Sequence, residues 1–308
     1  MKNKIVIALG GNALGENNLE QIAAVEIATQ HITELIKDGN EVVIVHGNGP
    51  QVGKIQLAFS AGSSVDKNIE SMPLPESIAM SQGYIGYHLQ HALMNHLRKE
   101  DINSTVASIL TQALVDVNDP SFLKPSKPIG PFYTLEEAKE IGFKDYVEDS
   151  GRGYRQVVAS PLPRKLLEAK AIADAMQSGH VVICSGGGGI PVVDNGTSYE
   201  AVDAVIDKDA AAALLAQQID ADMLIILTGV DQVALNYGTP EETWLSEINL
   251  NQLEEYIGEN HFAPGSMLPK VEAAHRFVSS KDGAKAIITS LEAAKEAIRG
   301  NAGTFIVK

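Results

Sequence analysis

Cysteine is nearly absent from this sequence. Cys184 is the sole example in 308 residues, so one chain can build neither a disulfide framework nor a thiolate metal site. Its position in an apolar run fits a reducing compartment. Basic residues are scarce as well: 24 Lys and Arg stand against 39 Asp and Glu, a formal net charge of −15. That balance argues against unspecific binding to nucleic acid or to an anionic membrane surface, both of which call for a basic face. Aromatics make up only 5%. No apolar run approaches the length of a membrane span, and MKNKIVIALGGN at the start has too few apolar residues before glycine for a secretory leader. The expectation is a cytoplasmic protein with no nucleic-acid or membrane partner. Any anion it handles must be held by local groups against an acidic background.

Glycine, in contrast, is plentiful and clustered. From His180 to Asp209 the chain reads HVVICSGGGGIPVVDNGTSYEAVDAVIDKD. A short apolar strand, Val181–Cys184, gives way to Ser185 and four glycines. After a turn at Asp194-Asn195-Gly196, the triplet Asp207-Lys208-Asp209 opens an alanine-rich helix, Ala210–Gln218. Consecutive glycines surrender backbone entropy to no purpose unless a ligand must approach the main chain closely. The N–H groups around Gly186 and Gly187 suit an anion, and Lys208 downstream supplies positive charge. A flexible loop before a solvated helix start is the plainer reading of one such run. Recurrence weakens it.

Lys4–Leu9 is a β-branched run cut off by Gly10-Gly11-Asn12; Leu19–Lys37 follows with helical spacing, and Glu41–Val45 is a second strand. This βαβ unit implies a parallel pair, and the second strand runs into His46-Gly47-Asn48-Gly49-Pro50-Gln51-Val52-Gly53. The right-handed crossover rule brings both glycine segments to the carboxyl ends of neighbouring strands, where open α/β sheets hold ligands. Neither segment is a common nucleotide signature. The second approaches a P-loop through Gly53-Lys54, but Asn48 replaces the first glycine and Ile55 the magnesium-binding hydroxyl. The first lacks the glycine order of a dinucleotide fingerprint.

Pro73–Glu100 reads as helix and Ser104–Leu110 as strand. His88, His91 and His96 are spaced by three and five, which does not give the paired ligands of a helical zinc site, and no metal set is assigned. Between Asp116 and Pro163 prolines and aromatics multiply, marking an inserted subdomain or lid within a single 308-residue domain. Within it, prolines hold Lys124 and Lys127 out on a stiff backbone; for Lys124 an ordinary surface lysine is the simpler reading. Arg164–Ser178 has helical spacing. Ala221–Thr228 is the most apolar strand and exits at Gly229-Val230-Asp231, while Tyr237-Gly238-Thr239-Pro240 is a turn. Ala263–Lys270 reads as a loop feeding the helix Val271–Val278. Lys270 therefore falls at a helix amino terminus, where a cation opposes the helix dipole unless an anion lies between them. Ala284–Thr289 and Thr304–Val307 close the sheet around Leu291–Arg299.

Glycine loops and two lysines on one crevice, with no nucleophile elbow and no metal triad, point to phosphoryl transfer. That chemistry is mostly positioning and charge stabilisation. The motifs ALGGNAL (8–14), HGNGPQVG (46–53), KPSKPIGPF (124–132), SGGGGIPV (185–192), AVIDKD (204–209), LTGVD (227–231) and APGSMLPKVEAA (263–274) together resemble the carbamate kinases of the amino acid kinase superfamily. The resemblance runs over essentially the whole chain, with the motifs in the family's order.

It implies a three-layer αβα sandwich around a mainly parallel eight-stranded sheet, a homodimer, and Mg²⁺-dependent transfer between ATP and carbamate. In its usual metabolic direction ADP and carbamoyl phosphate yield ATP. Carried onto matching positions, Lys208 and Lys270 neutralise the transferring group and Asp209 holds them. Gly10, Gly11 and Asn12 offer N–H groups to phosphate, and Gly47, Asn48 and Gly49 receive the carbamate end. Lys127 reaches over the small substrate from the lid. Thr228, Gly229, Val230, Asp231, Tyr237, Met267 and Pro269 flank the nucleotide. Two rivals stay open: another small-acid kinase with the same sheet, or a nucleotide or metabolite sensor without turnover.

Overall fold

A computed structural model describes residues 2–10, 14–15, 17–141, 145–148, 151 and 153–308. The first βαβ unit is β1 (Lys4–Leu9), α1 (Asn18–Lys37) and β2 (Glu41–His46). Two helices follow, α2 (Gly49–Val65) and α3 (Leu74–Lys99), then strands β3 (Val106–Ile109) and β4 (Gln112–Val115). Next come β5 (Lys127–Tyr133), α4 (Leu135–Ile141), β6 (Tyr146–Glu148), β7 (Tyr154–Val158) and β8 (Pro163–Leu166). The chain continues through α5 (Ala169–Gln177), β9 (Val181–Cys184), β10 (Ile190–Asp194), β11 (Tyr199–Ala201) and α6 (Lys208–Gln218). It finishes with β12 (Met223–Thr228), β13 (Val233–Leu235), β14 (Thr243–Leu245), β15 (Glu247–Asn249) and α7 (Leu250–Gly258), then α8 (Met267–Ser280), β16 (Lys285–Ser290), α9 (Ala294–Ile298) and β17 (Thr304–Val307).

Eight strands form one sheet in the order β15-β17-β16-β12-β1-β2-β9-β3. Neighbours are parallel except where β17 runs against β16. The central strands are β-branched and apolar on both faces, as a sheet covered on both sides requires. Alternation along each strand divides the core. Val6, Ala8, Val43, Val45, Leu224 and Ile226 pack under α5, α6, α7 and α8. Ile5, Ile7, Val42, Ile44 and Ile225 pack under α1, α3 and α9. The result is the expected three-layer sandwich. Helix α6 lies so deep that an amphipathic pattern would serve no purpose; Ala210–Ala213 are all buried and let it sit close to its neighbours.

Outside this sheet, β11-β10-β4-β8 form a four-stranded sheet, β5-β7-β6 a three-stranded antiparallel one, and β13-β14 a hairpin. The proline-rich segment thus has a small sheet of its own. Phe143, one of the aromatics of that segment, and Arg152 lie outside the described residues.

Several boundaries differ from the sequence reading. Gly49 and Pro50 begin α2 instead of continuing a loop, because proline is tolerated in a helix's first turn. For the same reason Met267–Pro269 are the first turn of α8 and not a loop. The helix read from Arg164 starts only at Ala169: Pro163–Leu166 pair with β4 as a strand.

Where β9 leaves the sheet, Ser185, Gly187, Gly188 and Gly189 all have positive φ. At Gly188 (φ +88) a Cβ would lie 2.5 Å from the carbonyl oxygen of Ile206. Gly188→Ala therefore pits an L side chain against rigid backbone. We expect a loss on the order of 2–4 kcal/mol in urea unfolding. A wild-type midpoint would show that the crossing can relax.

Candidate active site

Three helices begin on one crevice at the carboxyl ends of the parallel strands. Helix α2 starts at Gly49, α6 at Lys208 and α8 at Met267. Helix amino termini carry unsatisfied N–H groups and partial positive charge. Asn48 and Ser266, the residues capping α2 and α8, give no side-chain hydrogen bond to those groups. Only α6 is capped: the Asp207 carboxylate Oδ1 accepts from the N–H of Asp209 (2.9 Å) and of Ala210 (3.3 Å).

A cavity of about 250 Å³ lies among these three starts, lined by Gly47, Asn48, Gly49, Gly187, Lys127, Lys208, Asp209, Pro269 and Lys270. A second, of about 400 Å³, shares Lys270 with it and extends past Gly10, Thr228 and Gly229 to Glu292. A third, of about 430 Å³, shares Thr228 and Gly229 with the second and is walled by Val230, Tyr237, Phe262 and Met267. The three adjoin in a row: a small basic chamber, a polar passage, and a chamber with apolar and aromatic walls. Tyr237 is exposed at the outer wall and meets Trp244 edge to face at 6.0 Å.

Asp209, only 2% exposed, lines the first chamber beside Lys270, the residue common to the first and second chambers. Its Oδ1 accepts from Lys208 Nζ, and its Oδ2 from Lys270 Nζ at 3.2 Å. Burying a carboxylate is costly unless it is paired, and both oxygens are paired here. One anion thereby aims two ammonium groups at one point, from adjacent positions on α6 and from the first turn of α8. Lys127 completes the cluster, its Nζ 3.1 Å from Asp207 Oδ2. Burial pushes the Asp207 carboxyl up, but the charges of Lys127 and Lys208, with the bonds from Lys127 and Ala210, outweigh it and hold it below its ordinary range.

Glycine is required here for close approach. At Gly187 (φ +63) a Cβ would stand 2.1 Å from the Asn48 amide, and at Gly186 one would strike the His46 ring. Asn48 Nδ2 donates to Ser81 Oγ at 2.9 Å, which fixes the side chain from α3. Gln82, also on α3, clasps both main-chain groups of Thr111, whose Oγ1 accepts from the N–H of Ser185. The glycine loop is thus fastened from below.

The chain from residue 3 to 290 matches the model of the amino acid kinase family. A carbamate kinase of Clostridium perfringens is 51% identical over 313 residues, covering 99% of this chain and 100% of that protein. A carbamate kinase-like protein of Escherichia coli K12 is also 51% identical, over 99% of both chains. This chain belongs to the amino acid kinase family, among its carbamate kinases. The structure of the Giardia lamblia carbamate kinase bound to AMP-PNP superposes with a TM-score of 0.92 at 42% identity, covering 100% of this chain and 99% of that one.

Within this amino acid kinase fold, most residues singled out in the sequence meet on the crevice. Gly186 does not: it is buried behind the loop, against His46. Asp231 is exposed and lines none of the three chambers. Gly11 and Asn12 lie outside the described residues. Lys124 is exposed and takes no part. Asp207, Ser81, Gln82 and Ser266 join the site without having been expected there. For Asp207 a signal existed, an Asp directly before a helix start. For the two α3 residues there was none.

His46 lies fully under the loop, its Nδ1–H donating to the Gly47 carbonyl at 2.8 Å. Burial pulls the imidazole from its ordinary 6.5 down to about 4. Between those values the unfolded chain binds a proton that the folded chain refuses, so stability is full above about 6.5, falls as pH drops, and levels off below about 4. The loss should be about 3 kcal/mol. Urea unfolding from pH 4 to 7 should show this slope in the wild type and a flatter one in His46→Gln; equal slopes would assign it to another group.

Proposed function

We infer that this protein is a carbamate kinase, moving a phosphoryl group between ATP and carbamate. The observation that carries the reading is Asp209 with its two lysines, set in a small basic chamber that opens through a polar passage toward a chamber with an aromatic rim. A small anion fits the first chamber and a nucleotide the other two. Apolar Phe262 and Met267 give the base a surface, and Lys270 reaches the phosphates from the shared wall.

Transfer is direct. In the ATP-forming direction a β-phosphate oxygen of ADP attacks phosphorus, a new P–O bond forms in line, and the bond from phosphorus to the carbamoyl oxygen breaks, releasing carbamate. The incoming oxygen is already anionic, so no general base is needed. The groups must instead screen the repulsion between two anions. Lys208 and Lys270 do so from fixed positions, helped by the partial positive charge at the amino termini of α2 and α8. Lys127, on a lid formed by residues 116–163, covers the small substrate.

Among the described residues no group of three or more His, Cys, Asp or Glu could hold a metal ion. Oxygen donors of Glu292, Ser266 and Ser290 nonetheless line the middle chamber. That set suits Mg²⁺ held mainly by nucleotide phosphates and water. When bound, the ion neutralises charge on the phosphate oxygens.

We also propose a homodimer formed through α1 and α3, which lie side by side. Leu19, Ile22 and Ile27 on one and Met80, Tyr87 and Met94 on the other are all exposed. So much apolar surface on one helical layer marks an interaction face.

The test is ATP formation from ADP, Mg²⁺ and carbamoyl phosphate, with acetyl phosphate as the control donor. Carbamoyl-selective turnover is expected; none, from protein that still binds ADP, would move the acceptor to another small acid. Lys208→Ala should lower kcat about a hundredfold or more, as for loss of a preorganised charge donor, and near-normal turnover would remove Lys208 from the role. In sedimentation velocity the wild type should run as a dimer and Tyr87→Glu as a monomer, whereas an unchanged dimer would place the contact elsewhere.

A further inference from the structure

We propose that Asp207 is a positioning residue of the lid, the side chain that ties the ammonium of Lys127 to the start of α6. The inference rests on the reading of residues 116–163 as a lid over a small anionic substrate. Its ground is the division of labour between the two carboxylate oxygens. Oδ1 is spent on the α6 cap, where it accepts from the N–H groups of Asp209 and Ala210, and so fixes the residues that carry Lys208 and Asp209. Oδ2 is left to Lys127, at 3.1 Å and 80 residues distant in sequence.

Lys127 opens β5, so its main chain belongs to the small sheet while its ammonium reaches the large one's ligand edge. Strand β5 has a second attachment. Gly53 of α2 sits so close to Gly130 that a Cβ would fall 2.7 Å from its Cα, and the Gly130 carbonyl accepts from Arg155 Nε of β7 at 3.0 Å. The strand is seated on α2 at Gly130, Ile129 packs against Val52 and Val205, and the Val205 N–H donates to the Ala159 carbonyl at 2.9 Å; what Asp207 adds is the placement of the Lys127 ammonium, three residues before Gly130, in the basic chamber. Two adjacent carboxylates thus serve three lysines. Asp209 aims the pair on the transferring group, and Asp207 sets the third, against substrate held in the same 250 Å³ chamber.

A cap and a lid hold can be separated, because asparagine is as good a cap as aspartate. Asp207→Asn keeps the Oδ1 bonds and removes the charge that holds Lys127; Asp207→Ala removes both. We would measure the wild type, Asp207→Asn, Lys127→Ala and the double variant. Steady-state ATP formation gives separate KM values for carbamoyl phosphate and ADP, and hydrogen exchange reports on the amides of residues 127–133. Asp207→Asn should raise the KM for carbamoyl phosphate about tenfold and move that for ADP less than about twofold, while adding nothing further in the Lys127→Ala background. Exchange in 127–133 should quicken about fivefold in both single variants. Multiplying effects in the double variant, or a KM for ADP that rises as much as that for carbamoyl phosphate, would overturn the role. If the wild type makes no ATP from carbamoyl phosphate, the substrate assignment fails on its own, and exchange still decides: unchanged rates in Asp207→Asn would show that the carboxylate does not hold the lid.

Discussion

A carboxylate almost wholly removed from water needs cations beside it, and the crevice is arranged around that demand. Asp209 draws Lys208 from its own helix and Lys270 from another. Two ammonium groups sharing one carboxylate leave a net positive centre. Were the aspartate absent, they would repel each other and drift toward solvent. Its presence makes their spacing a property of the fold, set before any substrate arrives. Electrostatic preorganisation of this kind is worth most where water is excluded.

The scaffold makes such an arrangement accessible at little strain. Parallel strands deliver their chain exits to one edge, and three helices, α2, α6 and α8, begin beside it. The region between β2 and α2, the approach to α6 and the approach to α8 arrive from different parts of the sequence. Helix α3, which contributes no lysine, still shapes the site from beneath through Ser81 and Gln82. The layers divide accordingly: one helical face supports the glycine loop, and the other supplies the cations.

Much of this was legible in the sequence, for identifiable reasons. The central strands announced themselves because a sheet buried on both faces must be apolar at every position. Lys208 stood out because a charged triplet follows a glycine-rich exit, and Lys270 because a cation at a helix start is electrostatically out of place. Helix starts were harder. Proline at Pro50 and Pro269 reads as loop in a local pattern, yet the first turn of a helix has no N–H bond for proline to break. The strand at Pro163–Leu166 was hidden by the apolar spacing of the helix that follows it. Asp207 illustrates the deeper limit. Its capping role is local and could be read; its bond to Lys127 spans 80 residues and depends on how a separate small sheet is seated. Asp231 shows the converse, a residue adjacent to the crevice in sequence that lines none of its chambers.

Cys184 gains a practical meaning from its place at the end of β9. Burial raises its thiol to about 12, so at pH 8 only about one molecule in ten thousand carries the reactive thiolate there. With no second cysteine in the chain, a thiol engineered onto the small sheet would be the sole handle for a maleimide dye or spin label, without any native residue being removed first. The mobility of that sheet could then be followed by spectroscopy in an otherwise unaltered protein.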